Sequence, residues 1–113
     1  MFGGFFHATA MIRSERIQSE AFTELVVPWL QAMSASLPLM ARAVDAGDHR
    51  TDVSSLSINQ MGFVNVMDAS REQSVSTELM TPIQELINRG VAEGYGTDGL
   101  SRVVELIRNP VSV

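Results

Sequence analysis

A chain of 113 residues, 45% of them hydrophobic, has material for one modest core and is too apolar to be disordered by composition. It contains no cysteine, which excludes disulfides and thiolate chemistry. Its net charge is −5 and its nearest approach to a basic cluster is the loose pair Arg13 and Arg16, so it lacks the basic footprint that nucleic-acid binding requires.

Helical signals dominate in chain order. The first segment, Met1 to about Arg16, is apolar around most of its circumference: Phe2, Phe5, Phe6, Ala8, Ala10, Met11 and Ile12. A helix of that kind is buried on every side. No capping residue precedes it and Gly3-Gly4 is a poor helix start, so the chain reads as beginning inside a helix. The second segment runs from Ser19, a candidate N-cap, to Ala46. Phe22, Leu25, Val26, Trp29, Met33, Leu37, Met40 and Val44 recur at helical spacing. Pro28 and Pro38 are expected to kink or break it, and Gly47 to stop it.

Within that segment Leu25 to Ala41 is an uncharged run of 17 residues. A membrane span needs about 20 mostly apolar residues, and this run carries two prolines, a glutamine and two serines, so it reads as a buried helix. The N-terminus lacks the basic start of a signal peptide, and a cytoplasmic location follows as the default. A polar loop, Asp48 to Val53, leads to a third helix, Ser54 to Glu72, on Leu56, Phe63, Val66 and Met67. A fourth, from Ser76 or Thr77 to Gly94, carries the cleanest stripe: Leu79, Met80, Ile83, Leu86, Ile87 and Val91. A fifth, Asp98 to Arg108, uses Leu100, Val103, Val104 and Ile107 and ends before Pro110. No useful strand pattern, repeat or linker interrupts these. The expected fold is all-α, a bundle of about five helices spanning residues 1–113 as one domain.

Four positions invite a functional reading. Trp29, the only tryptophan, is either a core residue or the wall of an apolar pocket. Asn59 lies on the apolar stripe Leu56–Asn59–Phe63–Met67, where an unpaired buried amide would cost about 1–3 kcal/mol. It is expected either to bond a neighbouring helix or to face a polar cavity, and Gly62 beside it points to the close approach of another backbone or a ligand. His7 among phenylalanines reads as a satisfied core or interface histidine. His49 with Asp48 and Asp52 could in principle hold a metal but has no defined ligand geometry, and a solvated acidic loop is the expectation. No phosphate loop, Gly-x-Ser-x-Gly, His-Glu-x-x-His or paired-carboxylate pattern is present, and no residue stands out as catalytic.

The order of pieces carries a resemblance. Gly4-Phe5-Phe6-His7-Ala8 leads to Pro28-Trp29-Leu30-Gln31, then Asp45-Ala46-Gly47-Asp48, Ser55-Leu56-Ser57-Ile58-Asn59, and Arg89-Gly90-Val91-Ala92-Glu93-Gly94-Tyr95-Gly96. Over nearly its whole length the chain resembles the C-terminal helical domain of NADPH-dependent imine reductases and reductive aminases, relatives of the β-hydroxyacid dehydrogenases. The resemblance implies a preceding Rossmann domain for NADPH, joined by a long helix on which the family's catalytic aspartate or tyrosine lies, upstream of Met1. It also implies an intertwined homodimer whose active sites lie between subunits, where hydride passes from NADPH to an imine carbon. Trp29, Ile58 and Asn59 match positions lining the substrate pocket, with Phe63 as secondary lining, and the ligand class is a small apolar amine or imine. By itself the chain is expected to bind no cofactor and no metal and to be inactive. The alternative is a non-catalytic helical module that dimerises or binds a small apolar ligand.

Overall fold

The computed structural model describes residues 1–110. Its α-helices are α1 (Phe2–Ser14), α2 (Ser19–Met33), α3 (Ser36–Ala46), α4 (Leu56–Glu72), α5 (Thr81–Gly90) and α6 (Val103–Arg108). A π-turn, Val91–Tyr95, follows α5 directly, and a 3₁₀ turn, Leu100–Arg102, leads into α6. The fold is all-α as expected, with two isolated antiparallel bridges, Arg50 to Asp98 and Ser55 to Gly99, and no strand among the described residues.

The helix borders follow local chemistry. The expected second helix is two, broken at Ser34–Ala35 and not at either proline. Pro28 stays inside α2, while Pro38 occupies the first turn of α3, where a missing N–H leaves no bond unmade. Gly47 ends α3 in the left-handed region at φ 65°, which L side chains adopt at a cost. Ser55 caps α4, its Oγ accepting from Ile58 N at 3.3 Å. The fourth segment starts later than its stripe suggested, because Pro82 sets the first turn at Thr81 and only a turn, residues 78–80, precedes it. It also widens after Gly90 into the π-turn, where Gly94 has φ 98°.

Packing is uneven. The buried apolar side chains among the described residues are Leu56, Met67, Ile87 and Leu106, all from α4, α5 and α6. Leu56 meets Leu106 over Gly90: a Cβ at Gly90 would lie 2.9 Å from Leu56 Cδ1 and 3.0 Å from Leu106 Cδ1. Neither α2 nor α3 contains a buried residue, and His7 is the only one in α1. The periodic residues of the second segment divide into two stripes. Phe22, Val26 and the exposed Trp29 line the space against α1, whereas Leu25, Met33 and Leu37 are exposed away from it. Periodicity identified the helices but not the cover for their faces. A compact monomer of 12.3 kDa exposes about 6,100 Å² by the usual size scaling; this chain exposes 8044 Å². Its radius of gyration, 15.5 Å, likewise exceeds the roughly 13 Å of a compact domain of this length.

The Gly90 contact generates a test. Gly90→Ala should lower stability by about 1–3 kcal/mol, because two fully packed leucines must both move. Urea unfolding measures it, and a neutral substitution would show that the α4–α5–α6 core is loosely packed.

Candidate functional site

Two groups of candidate residues lie on different elements. Trp29 is 60% exposed, so it is not a core residue of this chain. With Met1, Gly4, Phe5, Ala8, Phe22, Val26 and Leu30 it lines an almost wholly apolar groove of about 350 Å³ between α1 and α2. Phe5 stacks on Phe22, with centroids 6.0 Å apart and planes 12° apart, and this pair sets the groove floor. Phe2 and Phe6 do not line it and are 67% and 61% exposed. The apolar circumference of α1 is therefore shared between a groove and an open face.

Ile58, Asn59 and Phe63 stand on α4. Ile58 is exposed, and Asn59 and Phe63 are half-buried. No α4 residue lines the Trp29 groove, so one chain does not bring Trp29 together with Ile58, Asn59 and Phe63 in a single cavity. The Asn59 amide nitrogen donates to Ser54 Oγ at 2.8 Å and to Ser55 O at 2.9 Å. The amide thus bonds its own entry loop, a partner that sequence reasoning missed. The signal was available as serines four and five positions before an asparagine at a helix start.

The loop before α4 is clasped to the segment before α6. Gly99 N donates to His49 O at 2.7 Å, and Leu56 N donates to Asp98 O at 2.8 Å. Beneath these the His49 ring is buried, its Nδ1 sharing a hydrogen bond with Ser101 Oγ at 2.8 Å. Its Nε2 has no hydrogen-bond partner among the described residues and faces Glu105 Oε1 at 3.7 Å. His49 therefore turns inward while Asp48 turns outward to Arg50, so the His49, Asp48, Asp52 trio does not converge. Among the described residues no group of three such side chains could hold a metal. His7 is a satisfied buried histidine, its Nε2 2.8 Å from Ser70 Oγ, and this contact ties α1 to α4.

The described residues thus form an all-α domain with an exposed apolar face, an aromatic groove and a polar start to α4. The comparisons place it. The family model described as NADPH-dependent reductive aminase-like, C-terminal domain, matches residues 1–109, and the chain belongs to that family. It is 38% identical over 111 residues to an NADPH-dependent reductive aminase of Aspergillus oryzae (strain ATCC 42149 / RIB 40), covering 96% of this chain and 38% of that protein. It superposes with TM-score 0.91 and 42% identity on a reductive aminase from Aspergillus terreus in complex with NADPH4, cyclohexanone and allyl amine, over 95% of this chain and 38% of that one. An Aspergillus terreus imine reductase in complex with NADPH4 and dibenz[c,e]azepine gives TM-score 0.87 and 40% identity, over 92% of this chain and 36% of that one. The chain thus spans well under half the length of these relatives.

One charge pair near the site has a clear titration signature. The hydrogen bond from the Arg50 side chain, then that from its backbone, holds the Asp48 carboxyl down at about 2, from an ordinary 3.8. A depressed carboxylate stabilises above its ordinary value, and that contribution is lost as pH falls through about 2. An NMR titration of the Asp48 carboxyl carbon should show this midpoint, and Arg50→Ala should return it toward 3.8.

Proposed function

We propose that this chain forms the dimerisation and substrate-facing domain of an NADPH-dependent reductive aminase or imine reductase, working in the cytoplasm as a homodimer. The observation that carries the reading is the uncovered apolar face. Phe2, Phe6, Leu25, Trp29, Met33 and Leu37 are all exposed on neighbouring helices, and the chain exposes nearly 2,000 Å² more than a compact monomer would. Large side chains left in water each forgo about 1.5–3 kcal/mol of burial. A patch of that extent marks an interface, and an interface of standard size buries about 800 Å² per partner. A second copy related by a two-fold axis is the simplest cover.

Such a cover would supply what one chain lacks. Trp29 and the Ile58, Asn59, Phe63 group are separate within a chain, and a pocket between subunits can draw its walls from both. Trp29 would give an apolar wall, Ile58 and Phe63 further lining, and Asn59 a polar contact to a small amine or imine. Ligands of this kind accompany the reductive aminase structure matched above, which holds cyclohexanone and allyl amine. The described residues do not themselves fit a dinucleotide. Gly3 and Gly4 lie inside the helical backbone of α1, so they do not form the turn that cradles a phosphate in a strand–glycine–helix unit. NADPH is assigned to another part of the longer protein, and no catalytic residue is assigned here. No helix among the described residues is long and apolar enough to cross a membrane.

Two outcomes test the reading. Analytical ultracentrifugation at micromolar concentration should show a dimer, with Trp29 emission shifting to shorter wavelength on association; Phe2→Glu with Phe6→Glu should weaken it at least tenfold. A well-folded monomer would refute the dimer. Calorimetric titration of the chain with NADPH should show no micromolar binding, and such binding would overturn the division of labour proposed for the cofactor.

A further inference from the structure

We infer that the cavity between α1 and residues 75–79 is a separate ligand site, for a small neutral hydroxyaromatic molecule whose O–H donates to His7 Nδ1. Trp29, Ile58, Asn59 and Phe63 do not line it, and it does not rest on the substrate-facing role proposed above.

The polarity of the site follows from Ser70. A serine hydroxyl has one hydrogen to donate. Ser70 Oγ gives it to Val66 O at 2.7 Å, a carbonyl that can only accept. Met11 Sδ, 3.6 Å from the same oxygen, is the longer and weaker acceptor. In the 2.8 Å contact with His7 Nε2, Ser70 Oγ is therefore the acceptor and the ring nitrogen the donor. A neutral imidazole carries one N–H, so a hydrogen on Nε2 leaves Nδ1 a bare acceptor. The tautomer is assigned by these partners.

That acceptor is buried and unused. His7 is only 6% exposed, and its Nδ1 has no hydrogen-bond partner among the described residues. Nor is the atom sealed in: the unpartnered side-chain atoms shut off from solvent are Thr9 Oγ1, His49 Nε2 and Arg89 Nε. His7 lines a cavity of about 270 Å³ with Phe6, Ala10, Val75, Ser76, Glu78 and Leu79, and its free nitrogen opens on that space. Apolar walls around one fixed polar group are the makeup of a small-molecule site. One acceptor asks for one donor, and Phe6 offers an aromatic face to a ring. A phenol joins a planar ring to one acidic hydroxyl. Charged ligands fit less well. The Glu78 carboxylate repels anions, and because it is exposed it attracts a cation only weakly. A cation would also shed more hydration than one neutral nitrogen returns.

The test uses the full chain, labelled with ¹⁵N, and two probes: phenol, and anisole, which keeps the ring and oxygen but has no O–H. At neutral pH, long-range ¹H–¹⁵N spectra should place the His7 hydrogen on Nε2. Phenol should shift the Nδ1 signal and the Ala10 and Leu79 backbone amides, with a Kd on the order of millimolar for a ligand of this size. It should bind about fivefold more tightly than anisole, the effect of one neutral hydrogen bond. Ala10→Leu, at an exposed helical position, should fill the cavity and weaken phenol binding by about fivefold or more, with the His7 tautomer unchanged. Ser70→Ala removes the acceptor that holds the hydrogen on Nε2, lets it move to Nδ1, and should narrow the preference for phenol to less than about twofold. Phe6 also belongs to the face assigned to a second copy, so the titration is repeated on Phe2→Glu, which weakens that association without touching the cavity wall. Phenol binding to Phe2→Glu alone supports the site, as one that the second copy closes. A hydrogen on Nδ1, equal affinity for phenol and anisole, or a silent His7 in both chains overturns the proposal. So does a preference unmoved by Ser70→Ala or an affinity unmoved by Ala10→Leu.

Discussion

The seat of Leu56 against Gly90 and Leu106 is the contact on which the rest of this structure depends. It joins the three helices that hold a real core, and it does so at the first residue of α4. From that anchor the positions of Ile58 and Asn59 follow within one turn. The clasp formed by His49, Gly99 and Asp98 sits immediately before the same residue. Core and clasp together fix the start of α4 more firmly than a loop-to-helix junction is usually held. A group offered to a ligand from there costs little reorganisation when it is used.

The other half of the chain is organised by the opposite condition. α1, α2 and α3 present large apolar side chains with almost nothing over them, yet the local signals for each helix are satisfied. Helix formation needs only periodicity, caps and the avoidance of badly placed prolines, all local. Burial needs a facing surface, which is not. That separation explains why the chain can be well formed in detail and open in outline.

The same separation decides what was legible in the sequence. The all-α class, the Gly47 stop and the span of α4 follow from spacing and cap chemistry. The break at Ser34–Ala35 and the late start at Thr81 did not, because one proline was tolerated in place and another selected the helix start. The resemblance in the ordered motifs, from Gly4-Phe5-Phe6-His7-Ala8 to Gly94-Tyr95-Gly96, matches the family model that covers the chain. Trp29 was weighed as core because an aromatic on an apolar stripe usually is; its exposure depends on what lies opposite, which periodicity does not encode. The hydrogen bonds of Asn59 were hidden for another reason. Ser54 and Ser55 looked like a helix start and nothing more, and the amide's choice of a local partner emerges only once the backbone turn is in place.

The bond between His7 and Ser70 bears on how an interface could be specific at all. A helix greasy on every side has no intrinsic rotational phase: turned by one residue it would present a different but equally apolar surface. A single polar pair, buried where neither member can be left unbonded without cost, removes that degeneracy. It keys α1 to α4 so that Phe5 falls toward Phe22 and Phe6 toward the open face. One imidazole and one hydroxyl therefore act as an index pin, converting a sticky cylinder into a surface with a defined front.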